Sequence, residues 1–184
     1  NMVSMAGPSP FLPFLPLLAK QILLNNFASD IPALGIARDN VDAEMVTRPH
    51  RWDIRMIRSF MVVFGLVSSL FDFATFALLL LVVKADEAQF QTGWFIESLL
   101  TELAVALVVR TRKPFFRSRP GTLLWVSTLV VAAAAIALPY LPFAAALGFT
   151  PLPAWVTTAL MGLTGVYLIV AEITKAAFYR RFAW

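Results

Sequence analysis

Long apolar runs alternate along this chain with short charged ones. Five of the runs approach the roughly 20 residues that a helix needs to cross hydrocarbon, at 14–37, 57–83, 93–109, 122–138 and 154–176. The first is the weakest, because Lys20, Asp30 and Pro32 interrupt it. Beyond Arg58 at its start, only Asp72 interrupts the second, and the third contains Glu97 and Glu102. From Pro120 to Ala171 there is no charged residue, a stretch too long for one crossing. Pro139, Pro142, Pro151 and Pro153 divide it, which predicts two helices joined by a tight turn. The pattern predicts an all-α, polytopic membrane bundle of about five transmembrane helices.

Composition supports an apolar solvent. The chain has 184 residues, of which 59% are hydrophobic and 14% charged. Soluble domains run at about 45–50% and 25%. The net charge of +4 matters less than where the charges lie. All basic residues except Lys20 and Lys84 fall in the segments 38–58 and 110–119 or in the tail, at Lys175, Arg180 and Arg181. An odd number of spans puts these three groups on one side, and the positive-inside rule makes that side, with the C-terminus, cytoplasmic. Trp52, Trp94, Trp125, Tyr140, Trp155, Tyr179 and Trp184 flank the runs and read as interfacial anchors. Nothing in this distribution calls for a nucleic-acid partner.

Several chemistries are excluded. Without cysteine there is no disulfide framework or thiolate metal site. His50, in a polar loop, cannot build a His-rich site by itself. Ser, His and Asp do not form a hydrolase triad, and no glycine-rich phosphate loop occurs. The run Asp39-Asn40-Val41-Asp42-Ala43-Glu44 lacks the glycine and closing glutamate of an EF-hand, so it reads as a cap or docking surface. The opening at Asn1, with no charged leader after it, reads as a fragment whose upstream part is missing.

The candidate chemistry lies inside the spans, where a carboxylate is costly and marks function by default. Asn26 and Asp30 are four apart and share a helix face. Pro32 has no N–H, which frees the Ala28 carbonyl. An amide, a carboxylate and loosened carbonyls suit a hard, oxygen-loving cation. Asp72, with Ser68, Ser69 and Thr75 nearby, is a ligand, a proton carrier or a hydrogen-bonded acid. Glu97 and Glu102 are about 140° apart around a helix, so at most one of them faces a site on the first span. Glu102 lies nearer the centre, while Glu97, its rival, lies nearer the outer end with access to water. Glu172, close to Lys175, reads as a member of an ion pair.

Asn26-Phe27-Ala28-Ser29-Asp30 resembles the Asn-x-x-x-Asp motif in the sixth transmembrane helix of cation-pumping P-type ATPases. Flanking runs are similar too: Phe11 to Pro16 before it, and Ile31 to Ala37, Asp39 to Asp42 and Arg48 to Trp52 after it. Asp39 to Asp42, Gly65 to Asp72, Gln91 to Phe95 and Val108 to Arg112 resemble the magnesium-transporting branch.

The resemblance covers nearly the whole chain. It implies helices six to ten, with Asn1 to Gly7 as the end of helix five. It implies Mg²⁺ as the transported ion, bound through Asn26 and Asp30, and a carboxylate of helix eight at or near Glu102. It also implies a bacterial plasma (inner) membrane and an enzyme that uses ATP. Its partners there would be the bilayer, helices one to five, and the phosphorylation, nucleotide-binding and actuator domains of the same pump. The phosphorylated Asp-Lys-Thr-Gly-Thr motif does not occur here, so the segment has no ATP chemistry of its own. Two alternatives remain open: the same region of a pump for Ca²⁺ or H⁺, and an independent small membrane subunit.

Overall fold

A computed structural model describes residues 12–37, 39–40 and 54–181, with the side chain of Phe116 left out. The expectations for Asn1 to Gly7, Phe11, Asp42, Glu44, Arg48 to Trp52 and Trp184 lie outside the described residues. Among the described residues every regular element is helical. The long helices are α1 (Ala19–Ile36), α2 (Ile54–Ala77, continued by a π-helical stretch, Leu78–Val83), α3 (Glu87–Val109), α4 (Thr122–Ala137) and α5 (Ala154–Arg181). Short 3-10 turns occupy Leu138–Tyr140 and Ala144–Leu147, where the prolines predict the break between α4 and α5. Four helices, all but α1, are long and apolar enough to cross a membrane. The 18-residue α1 carries too many polar groups to qualify.

Helix boundaries follow local chemistry. α3 begins six residues before the apolar run expected from 93, because Asp86 and Gln89 close a capping box there. Asp86 Oδ1 accepts from the Gln89 N–H at 2.8 Å, and Gln89 Oε1 accepts from the Asp86 N–H at 3.3 Å. The π-helical end of α2 stops at Lys84, which has a left-handed backbone (φ 54°), and the next N–H, of Ala85, returns to the Leu79 carbonyl. Pro32 does not stop α1, which runs on to Ile36. Its ring is buried and its missing N–H leaves the Ala28 carbonyl without its helical donor.

α3 is the hub and packs against each of the other four helices. Of its most apolar stretch 72% is buried, against 22–28% for α2, α4 and α5. It is apolar nearly all round, as a central helix must be. α1, with the buried stripe Gln21, Asn25, Pro32, Gly35, and α4, with Leu124, Thr128, Val131 and Ala135 buried, lie together on one flank, and Gly35 meets Leu124. α2 and α5 lie on the other flank, joined by aromatic contacts such as Phe71 with Tyr167 and Phe60 with Phe178, both edge-to-face.

Hydrogen bonds tie the bundle at both ends. At one end Gln91 Nε2 donates to the Leu15 carbonyl (2.8 Å), Gln21 Nε2 to that of Gly148 (3.1 Å), and the Thr150 N–H to Thr92 Oγ1 (3.1 Å). At the other end Asp39, just past α1, bonds Arg110 (2.8 Å) and the Gly121 N–H (2.6 Å), while Arg110 also donates to the Ser118 carbonyl. Lys175 of α5 donates to the carbonyls of Val108 (3.0 Å) and Lys113 (2.8 Å) and pairs with Glu172 (2.9 Å). A cation there satisfies carbonyls left over at the C-terminus of α3. Arg112 stacks over Tyr179 nearby. These contacts gather the starts of α2 and α4 and the ends of α1, α3 and α5 at one pole. That is the up-and-down order in which the described basic segments share one end.

Trp94 does not behave as an interfacial anchor. It is fully buried between helices, its ring edge-to-face with Phe76, and its indole N–H bonds Asp72. Trp125, Tyr140 and Trp155 are exposed on the outside of the bundle.

Candidate functional site

The polar groups of α1 divide between two neighbouring faces. Gln21 and Asn25 belong to the buried stripe, whereas Asn26 and Asp30 lie on an adjoining, exposed face with Phe27 and Leu34. The spacing of four puts Asn26 and Asp30 one turn apart, as a helix requires. Ser29, half-buried between the two faces, donates to the Asn26 carbonyl at 3.1 Å.

Glu102 of α3 reaches this region. It is half-buried and accepts a hydrogen bond from Asn25 Nδ2 at 3.0 Å, and it also faces Ser29 and Asp30. Asn25 has its own carbonyl oxygen, Oδ1, buried without a hydrogen-bond partner among the described residues. Asn25, Ser29, Asp30 and Glu102 therefore form one oxygen-rich patch that spans α1 and α3, with Asn26 at its edge. The Asn26–Asp30 spacing does not single out Asn25. Its signal was available: an amide at i+4 from Gln21 on the same stripe as Pro32.

The arrangement is suited to exchanging partners. Glu102 is held by neutral donors, the Asn25 amide and the Ser29 hydroxyl, and keeps part of its surface open. Oxygens of an amide, a hydroxyl and two carboxylates are what a hard divalent cation takes. Among the described residues, no three His, Asp or Glu side chains converge. Carboxylates alone would not complete a cation shell here; amide and main-chain oxygens of α1 would have to add to them.

Glu97 sits elsewhere. It is fully buried, not open to water as its position near the outer end of the apolar run suggested. α3 begins at 87, which carries Glu97 a further turn and a half into the bundle. There it faces Asp72 and Thr75 of α2, on the flank opposite to Glu102. Asp72 is itself 1% exposed. The two carboxylates that the sequence leaves as rivals thus serve two different environments. The ion pair expected for Glu172 and Lys175 is present.

Asp39, which reads as part of a cap or docking run, clamps the α3–α4 connection to the end of α1. Burial works against its carboxylate. The Gly121 N–H, the Arg110 guanidinium and the Asn40 N–H outweigh that and hold it below the usual carboxylate range.

The likeness to known proteins agrees with this layout. The family model described as "Cation transporting ATPase, C-terminus" matches residues 14–177. A protein named magnesium-transporting ATPase, P-type 1, from Salmonella typhimurium is 36% identical over 193 residues, covering 100% of this chain and 21% of its own length. One of the same name from Escherichia coli K12 is 35% identical over 189 residues, with 100% and 21% covered. A further Salmonella typhimurium protein of that name is 37% identical over 191 residues, with 99% and 21% covered. The chain spans about a fifth of the length of the curated relatives it matches. With nearly all of its length matched, and with its polar groups set inside an apolar helical bundle, the chain belongs to the family of cation-transporting ATPase C-terminal regions.

Proposed function

We propose that this chain is the membrane segment of an ATP-driven magnesium transporter and lies in the inner membrane of a bacterium. The observation that carries this reading is the likeness over the whole chain to proteins named magnesium-transporting. In this reading the five long helices are helices six to ten of the pump. Phosphorylation, nucleotide-binding and actuator domains lie elsewhere in it and carry out the ATP chemistry. The pole bearing Arg110, Lys113 and Lys175 is the cytoplasmic one, by the positive-inside rule.

Asn26 and Asp30 present their side chains to the ion pathway, on the face of α1 that helices one to five would cover. The Ala28 carbonyl, without its helical donor, adds a main-chain oxygen on the same helix. Glu102 supports the site from α3 by exchanging its bond to Asn25 for the incoming cation or its water shell. A Mg²⁺ ion loses its water reluctantly and is commonly held by one or two carboxylates together with retained waters. A patch with only Asp30 and Glu102 as charged members fits that demand.

The test uses the full-length pump and measures ATP turnover against Mg²⁺ concentration. Asp30→Asn abolishes Mg²⁺-stimulated turnover. Glu102→Gln keeps an acceptor for Asn25 and raises the half-saturating Mg²⁺ by about tenfold, equivalent to about 1.4 kcal/mol. Unchanged Mg²⁺ dependence in Asp30→Asn would remove the site assignment. Equal stimulation of the unmodified pump by Ca²⁺ would remove the choice of ion.

A further inference from the structure

We infer that Asp72 and Glu97 form a proton-binding carboxyl pair inside the bundle, separate from the cation patch on α1, with the proton on Glu97. Four observations support this. Glu97 is 0% exposed, and neither of its carboxyl oxygens has a hydrogen-bond partner among the described residues. The Thr75 hydroxyl beside it is also fully buried and unpartnered. Asp72, by contrast, receives the Trp94 indole N–H at 3.0 Å. Tyr167 of α5, a phenol near Ser68, also faces the pair.

The charge balance follows from these contacts. Two charged carboxylates facing each other in an apolar interior, one of them without a hydrogen bond among the described residues, are prohibitively costly. One proton removes one charge and makes Glu97 a donor. Its O–H can then donate to the Asp72 carboxylate that it faces. Asp72 is the member that already receives an N–H. A metal ion fits this place poorly. Mg²⁺ requires octahedral oxygen coordination and usually keeps waters, and Ca²⁺ takes more ligands still. Here the side chains are closed in, and no third carboxylate converges among the described residues.

The site also has a mechanical setting. Trp94, which holds Asp72, packs on Phe76, and the neighbouring Gly93 lies directly under Leu79 at the start of the π-helical turns of α2. A change in the charge of the pair would act on the contact between α2 and α3, not on α1.

Infrared spectroscopy of the full polypeptide, reconstituted in lipid at neutral pH, tests the inference without requiring turnover. It therefore fails or holds independently of the pump reading. A protonated-carboxyl C=O band is expected, shifted in D₂O, lost in Glu97→Gln and retained in Asp30→Asn. In Asp72→Asn, which leaves Glu97 intact, the band stays but moves in frequency because its neighbour has changed from carboxylate to amide. A Glu97→Gln spectrum identical to the unmodified one overturns the proton on Glu97. A band unmoved by Asp72→Asn overturns the pairing. A band that vanishes on addition of MgCl₂ at unchanged pH overturns the choice of a proton over a metal.

Discussion

The two flanks of α3 handle a buried carboxylate in opposite ways. On the α1–α4 flank, Glu102 is half-buried, bonded by one amide, and next to the exposed Asn26 and Asp30. On the α2–α5 flank, Glu97 is sealed and its neighbours are Asp72, Thr75 and aromatic rings. The first flank includes polar groups and one close backbone contact, Gly35 against Leu124. The second is made of edge-to-face ring contacts and of Lys175 inserted among main-chain carbonyls. The difference teaches where motion and ion exchange can occur in one bundle. A carboxylate with neutral partners and an open side can trade a partner for an ion. A sealed one has to be neutralised where it stands.

The largest effect that sharpens this contrast falls on the α2–α5 flank. Lys175→Met keeps the length of the side chain but leaves Glu172 and the carbonyls of Val108 and Lys113 without their cation. Removing one member of a buried pair costs about 3–5 kcal/mol. Thermal unfolding in detergent should show a loss of that size, and a loss below about 1 kcal/mol would mean that the lysine is effectively a surface group.

A smaller effect separates the flanks by glycine. A Cβ at Gly35 would come within 2.9 Å of Leu124 Cα, a backbone atom that cannot swing away. Gly35→Ala should therefore destabilise by about 1–3 kcal/mol, the range for overpacking. A Cβ at Gly65, on α2, meets nothing within 4 Å. Gly65→Ala should instead stabilise by roughly 0.5–1 kcal/mol, through helix propensity. The same unfolding measurement on both variants decides the matter, and equal signs would break the distinction.

The smallest effect is a slope with pH, since burial and hydrogen bonding oppose each other at Asp39. Its folded-state value lies below the unfolded one, which is about 3.9. Its contribution is therefore fully present above that value and is lost as pH falls through the lower, folded one. Asp39→Asn should remove this part of the acid sensitivity while the rest of the profile persists. An unchanged acid limb would show that the clamp onto Arg110 and Gly121 does not contribute.

Most of the architecture could be read from spacing. Runs of apolar residues marked α2 to α5 because hydrocarbon admits little else, and the prolines marked the turn between α4 and α5. The start of α3 was misplaced because a capping box is a polar signal outside the apolar run. That one displacement left Glu97 facing water on paper, whereas the fold buries it. Trp94 was misread for the same reason, since an indole at the end of a hydrophobic run looks like an interfacial anchor until the helix proves longer.

By itself the sequence determined the class of solvent, the number of long helices, the clustering of positive charge and the Asn26–Asp30 pair on one face, since each depends on composition or on the helical repeat. The tertiary structure decided which flank each carboxylate faces, that Glu102 takes Asn25 as its partner, that Asp39 locks onto Arg110, and that Lys175 closes the end of α3. Those outcomes depend on the rotation and depth of one helix against another. Neighbouring side chains set both, and the periodicity of a single helix leaves both free.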